Sequence, residues 1–327
     1  MDAPSELLDE VEQTLLGGEP LYTRREVAER AGVSIDRAQE LWRALGFAST
    51  ADDDVVFTDD DVEALGLIGA LASGGVVDPK AEASLARSLG QPLARLAEWQ
   101  TTVVREVVAD VDHPLGAQPE LVRAVEALLP VMEKLQSYVW RRHLAAAAGR
   151  MLADPDGDPQ SKTLVVGFAD IVSFTRMSRT IEDADLAEFV DSFEGTAAAI
   201  VAECHGRVIK TIGDEVLFVT DTPRQGVDIA LELAARSELD EDFPTVRVGL
   251  AYGPVLRHLG DVYGPVVNVA ARLTSVARPG SVVADRELAA ALDGESGLQL
   301  RRIRRVSVRG YRSLEPWVLR RDDAGAS

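Results

Sequence analysis

The sequence predicts an α+β protein: an all-α module containing a helix-turn-helix-like segment, followed by an antiparallel, ferredoxin-like βαββαβ domain. Three observations carry this expectation. Through the first half, apolar side chains recur at three- and four-residue spacing with few β-branched runs, which is the helical period. Beyond Asp154-Pro155-Asp156-Gly157-Asp158-Pro159, short apolar runs of strand length alternate with helical stretches. The charge also changes: residues 1–158 carry 14 Lys+Arg against 29 Asp+Glu, and the other 169 carry 20 against 25. Two modules with different partners are expected, with a helical module at 1–153, a linker at 154–159 and the α+β domain at 160–327.

Composition narrows the function classes. At 327 residues, 46% hydrophobic and 27% charged, the chain is globular in character. No apolar run reaches the ~18 residues that span a bilayer, so no membrane partner is expected. The acidic start MDAPSELLDEVEQ lacks the order of a secretory signal. The single cysteine, Cys204, suits a reducing cytosol, and a cytoplasmic location is expected. A net charge of −20 makes nucleic acid an unfavoured partner, because polyanion binding needs a concentrated positive field.

In the first module Leu7, Leu8, Val11 and Leu15 mark one helical face, and Leu121, Val125, Leu128, Leu129, Met132 and Leu135 another. Asp59, Asp60 and Asp61 read as a negatively charged first turn, which the helix dipole favours. Residues 22–47 predict a short helix over Arg24–Arg30, a turn at Ala31-Gly32-Val33, and a second helix from the N-cap Ser34 through Leu45. The segment resembles the start of MerR-type winged-helix domains. Arg37 and Arg43 on the second helix would then read DNA, but the acidic surroundings favour a packing role. Residues 131–152 form a long helix entering the linker, with Arg141, Arg142 and His143 beside Trp140. His143 is a candidate proton-sensitive regulatory element there, with His113, His205 and His258 equal candidates.

The second module begins with a strand through Leu164–Ala169 that ends at Asp170. A helix near 185–204 follows. Strands at Arg207–Ile212 and Val216–Thr220 flank a turn at Gly213-Asp214-Glu215. A helix at 224–236, a strand at 246–252, a helix near 265–277, a strand at 281–284 and a final pair of strands complete the order, with the helices expected on one face. Asp170 at a strand end and Asp214 at a hairpin tip can reach the same edge, where paired carboxylates suit hard divalent cations. Ile171-Val172-Ser173-Phe174-Thr175 turns into a short helix whose N–H groups suit phosphate oxygens.

A third cluster is GDVYGPVVNVAAR, residues 260–272. Pro265 suits a first helical turn, so Asn268 and Arg272, four apart, share one face downstream of Asp261. The planar guanidinium of Arg272 suits a phosphate. Lys210 is one of only 4 lysines against 30 arginines, so its place four residues before Asp214 suggests a need for a compact donor.

Together FADIVSFT, KTIGDEVLF and GDVYGPVVNVAARL resemble the class III nucleotidyl cyclases over about residues 160–320. The resemblance implies an adenylate cyclase: two Mg²⁺ or Mn²⁺ ions held at Asp170, Ile171 and Asp214, and ATP as substrate. Lys210 and Asp261 correspond to the pair that reads adenine, Asn268 to the ribose-orienting residue, and Arg272 to the residue that stabilises the reacting phosphate. Phe174 and Thr175 fall in the phosphate segment, and Arg309 or Arg312 stands where a lysine often meets the terminal phosphates. The resemblance also implies a homodimer with two shared active sites. One subunit supplies the metal pair, and the other supplies Lys210, Asp261, Asn268 and Arg272. Two departures stand out: Ser173 replaces the usual glycine, and the interval from Lys210 to Asp261 is short. The first module resembles helical regulatory domains of actinobacterial cyclases, which implies control of catalytic-domain pairing, in some cases through pH. The competing reading is an ATP-sensing DNA-binding regulator.

Overall fold

The computed structural model describes residues 3–75, 78–109, 118–153, 158, 161–308 and 311–322. The chain divides into two compact units, Met1–Leu152 and Ala153–Ser327.

The first unit contains α1 (Ala3–Leu15), β1 (Tyr22–Thr23), α2 (Arg24–Arg30), α3 (Ile35–Leu45), β2 (Val55–Phe57), α4 (Asp59–Ser73), α5 (Pro79–Ala109) and α6 (Gln118–Leu152). Thr23 starts α2 with a reciprocal capping box to Glu26, and Gly46 ends α3 in the left-handed region at φ 90°. Val27, Ala28, Ala38, Leu41, Leu65 and Ala86 make a small core that holds α2 and α3 against α4 and α5. β1 and β2 pair antiparallel beside this helix pair. The Arg37 guanidinium is half-buried and engaged. It donates from Nε and Nη2 to the two carboxylate oxygens of Glu82 at 3.1 and 2.7 Å, and the Glu82 side chain is only 6% exposed. A buried carboxylate needs such a partner, so this arginine serves packing, the role that the acidic surroundings favour.

The second unit is built on β3 (Ser161–Ile171), α7 (Phe174–Met177), α8 (Asp183–Glu203), β4 (Arg207–Ile212), β5 (Glu215–Thr220), α9 (Pro223–Leu239), β6 (Val246–His258), β7 (Asp261–Tyr263), α10 (Pro265–Val276), β8 (Val282–Ala284), α11 (Arg286–Ala291), β9 (Leu298–Arg302), β10 (Val306–Val308), β11 (Tyr311–Leu314) and β12 (Trp317–Arg321). The main sheet runs β4-β5-β3-β6-β8-β12-β9, with β7 paired to β6. Its first four strands have the βαββαβ connectivity and antiparallel pairing expected of a ferredoxin-like sheet. β8 adds parallel to β6, and β12 and β9 extend the sheet antiparallel.

Two details differ from the sequence expectation. The helices do not lie on one face: α8 and α9 cover the side of Val165, Ala169 and Ile171, while α10 covers the side of Leu164, Val166 and Phe168. β3 is apolar on both faces because both are buried, and such a run carries no period that would reveal a second layer. The C-terminal region also holds four short strands and α11 in place of a final pair, since strands of three to five residues leave too short a pattern to count.

The helix α10 lies close on the sheet because Gly249 has no side chain. A Cβ there would sit 2.2 Å from the Thr274 backbone nitrogen and 2.5 Å from the Ala270 carbonyl oxygen. Thr274 Oγ1 also donates within reach of Phe168 O at 3.3 Å and Ala270 O at 3.0 Å. We expect Gly249→Ala to destabilise the protein by about 1–3 kcal/mol, the range for overpacking a rigid contact. Urea unfolding would measure it, and an unchanged midpoint would contradict this packing account.

Candidate active site

Strand alternation decides which side chains gather. Asp170 follows Phe168 by two residues, so it points to the α10 side of the sheet. Its ladder partners, Glu215 on β5 and Arg247 on β6, point the same way, as does Lys210 opposite Leu217. Asp214 joins them from the hairpin tip. Gly213 adopts φ 65° there, which a two-residue turn requires of its first central residue. The Ile171 N–H donates to the Asp214 carbonyl at 3.0 Å and ties that tip to the end of β3.

One guanidinium faces three carboxylates at this edge. Arg247 Nε donates to Asp170 Oδ2 at 2.5 Å. Burial raises the Asp170 carboxyl above its ordinary value, Arg247 opposes the rise, and Asp214 adds to it. Burial, and then the charges of Asp170 and Asp214, push Glu215 up to about 7. The edge is therefore short of positive charge. Oxygen ligands with surplus negative charge fit a hard divalent cation. Among the described residues, no three His, Cys, Asp or Glu side chains form a ready cage for one. Asp170 and Asp214 would hold it only with further oxygens from backbone or phosphate. The Ile171 side chain is buried in the core, so only its backbone is available.

A second cluster forms between β4 and the β6–β7 hairpin. Lys210 Nζ donates to Asp261 Oδ2 at 2.5 Å, and the Val262 N–H donates to Asp261 Oδ1 at 2.8 Å. Burial alone would raise the Asp261 carboxyl, but the Lys210 ammonium and the Val262 N–H outweigh it and hold it below its ordinary value. The hairpin turn uses Leu259 at φ 49° and Gly260 at φ 80°. On α10, Asn268 is exposed and Arg272 half-buried, one turn apart on the same helix face. Ala270 and Leu273 anchor the opposite face in the core.

The remaining candidates divide. The Phe174 ring packs against the core beneath α7, so only its backbone can meet a phosphate; Thr175 is exposed. Arg309 lies outside the described residues, and Arg312 belongs to β11 with its side chain outside them. His143 is exposed on α6 of the first unit. Sequence reasoning missed Arg247 and Glu215. The available signal was a lone arginine in the otherwise apolar segment Val246-Arg247-Val248-Gly249-Leu250.

Comparison with known proteins identifies the family of the chain. The family model described as the adenylate and guanylate cyclase catalytic domain matches residues 158–321. A Glutamicibacter nicotianae protein named adenylate cyclase is 38% identical over 335 residues, covering 97% of this chain and 83% of that protein. A Streptomyces coelicolor protein of the same name is 39% identical over 343 residues, covering 96% and 90%. Among solved structures, the catalytic core of a rhodopsin-guanylyl cyclase with converted specificity, in complex with ATPαS, aligns with a TM-score of 0.46 and 22% identity. It covers 50% of this chain and 97% of that one.

Ser173, the residue before α7, sits at φ 65° and ψ 20° with no side-chain cap bond. A non-glycine residue there costs ~1–2 kcal/mol, while a glycine costs ~0.5–1 kcal/mol through the unfolded chain. We expect Ser173→Gly to stabilise by up to about 1 kcal/mol. Denaturant unfolding of the two proteins would show it, and a loss of stability would contradict the strain argument.

Proposed function

This chain belongs to the adenylate and guanylate cyclase catalytic domain family, and on that footing we propose that it converts ATP into 3′,5′-cyclic AMP and pyrophosphate. The observation that carries the choice of purine is the Lys210–Asp261 pair. Adenine presents an acceptor at N1 and a donor at its 6-amino group. An ammonium donor and a carboxylate acceptor held side by side complement that edge, whereas guanine presents the opposite pattern.

Asp170, Asp214 and the Ile171 backbone would hold the divalent cations, two in number, of which Mg²⁺ and Mn²⁺ are the candidates. When bound, such ions neutralise the triphosphate and lower the pKa of the 3′-hydroxyl. Asn268 orients the ribose, and Arg272 offers its guanidinium to the phosphate oxygens as charge builds in the transition state. Arg247, at the metal edge, supplies a second guanidinium. The chemistry is attack of the 3′ oxygen on the α-phosphorus, with pyrophosphate leaving. Positioning and electrostatics carry the acceleration, and no side-chain base is invoked.

The site is shared between two copies in this reading. Ile212 on β4, with Leu256, Leu259 and Tyr263 on the β6–β7 hairpin, are each more than a third exposed near the Lys210–Asp261 pair. Exposed apolar side chains gathered at a polar site are typical of a surface that a partner covers. The helical unit, residues 1–152, regulates that pairing. The DNA-reading alternative is weakened by the engagement of Arg37 with Glu82.

Purified protein with ATP or GTP and Mn²⁺ should yield cyclic AMP from ATP alone. Asp170→Ala and Asp214→Ala should each lower the rate by at least ~100-fold with unfolding curves little changed. Mixing Asp214→Ala with Arg272→Ala chains should restore roughly a quarter of the wild-type rate, because half the dimers carry one intact site. Absence of rescue in demonstrated heterodimers would rule out the shared site. Residues 159–327 alone should differ in rate from the full chain, and equal rates from pH 5 to 8 would remove the regulatory role.

A further inference from the structure

The helix-turn-helix segment is the one motif that the cyclase reading leaves unused. Arg37 is engaged by Glu82, but Arg43, two turns further along α3, stands at a cavity of about 240 Å³. The cavity is formed by the end of α3, the residues that follow it, and β2. Trp42 and Phe57 make an aromatic floor, stacked with ring centroids 4.8 Å apart and planes 24° from parallel. Phe47 lines a wall and is 57% exposed, and Val56 beside it is also exposed.

The polar groups in the walls differ in what they already bind. Arg24 is committed to Asp52 and donates to the Thr50 carbonyl at 3.1 Å. Asp61 accepts from the Thr58 N–H at 2.8 Å and also from its hydroxyl. Arg43, among the described residues, has only Gln39 Oε1 at 3.4 Å, a long hydrogen bond. The concavity therefore combines an aromatic floor, exposed apolar walls and one guanidinium with donors to spare. Such a site recognises a flat apolar body bearing a single negative group.

We propose that this cavity is a receptor site for a compact aromatic carboxylate, whose ring lies against Trp42 and Phe57 and whose carboxylate pairs with Arg43. The volume is below the ~300–1,000 Å³ of drug-sized sites and admits roughly a dozen non-hydrogen atoms. A flat ring matches the stacked floor, which a flexible acyl chain does not exploit. The helix that would carry DNA recognition thus carries an effector site, independently of whether the second unit makes cyclic AMP.

The test is calorimetric titration of the full chain with phenylacetate, benzoate and indole-3-acetate, and with the neutral indole-3-acetamide and the linear acid dodecanoate as contrasts. At least one aromatic acid should bind saturably at one site per chain. The amide and the linear acid should bind at least ~10-fold more weakly, the size of one charge-assisted hydrogen bond. Arg43→Gln should weaken the aromatic acid by ~10-fold or more, and Phe47→Ser should weaken it through the wall. Both positions are exposed, so folding should survive, and Arg141→Gln on α6 should bind as the wild type does. No saturable binding across the three aromatic acids, equal binding of the amide, a preference for dodecanoate, or unchanged binding in Arg43→Gln would each overturn the assignment.

Discussion

The catalytic unit depends on the antiparallel placement of β3 between β5 and β6. That register sets Asp170 opposite Glu215 on one side and Arg247 on the other. It also aims all three at the face that α8 and α9 leave to α10. A slip of one residue would turn Asp170 into the apolar layer beneath α8 and α9, because side chains alternate strictly along a strand. The buried flanks of β3 make such a slip costly, so core packing holds the acidic edge in place. With three carboxylates and one guanidinium, the edge is left electrostatically incomplete. It is a place where cations and a polyanionic substrate together improve the charge balance.

The same face carries the ion pair proposed to distinguish purines. Lys210 and Asp261 are 51 residues apart in sequence, and an ion pair joins them where the β6–β7 hairpin meets β4. The helix with Asn268 and Arg272 is held by contacts at Gly249 and Thr274 that tolerate no added atom. Among the described residues, three that are not glycine take left-handed backbone conformations: Ser173, His205 and Leu259. Ser173 and Leu259 both take left-handed backbone conformations that favour glycine, each within three residues of a candidate site residue. Rigid strands and a tightly seated helix over-determine those turns.

In the first unit the same economy of charge reassigns a familiar motif. Two helices and a small wing have the outline of a DNA reader. Of its two candidate reading residues, Arg37 is paired with a buried glutamate and the exposed Arg43 lines an aromatic concavity. In a chain with a net charge of −20, neither presents the positive field that phosphate backbones require.

Much of this was legible in the residues. Helix spacing and the turn at Gly32 placed α2 and α3, the Gly213-Asp214 tip placed the β4–β5 hairpin, and the three separated motifs named the family and its candidate residues. These are local properties: a cap, a turn or a motif is set by neighbours in the chain. Three features were not local. The two-sided burial of β3 erased the period that would have shown α10 on a second face. The short C-terminal strands hold too few residues for any pattern. Arg247 gained its meaning only from the ladder that sets it opposite Asp170, 77 residues away. The sequence by itself therefore determined which residue types were present and which short elements would form. The tertiary structure decided which of them share a face, because register and layer order arise from packing between segments that the chain keeps far apart.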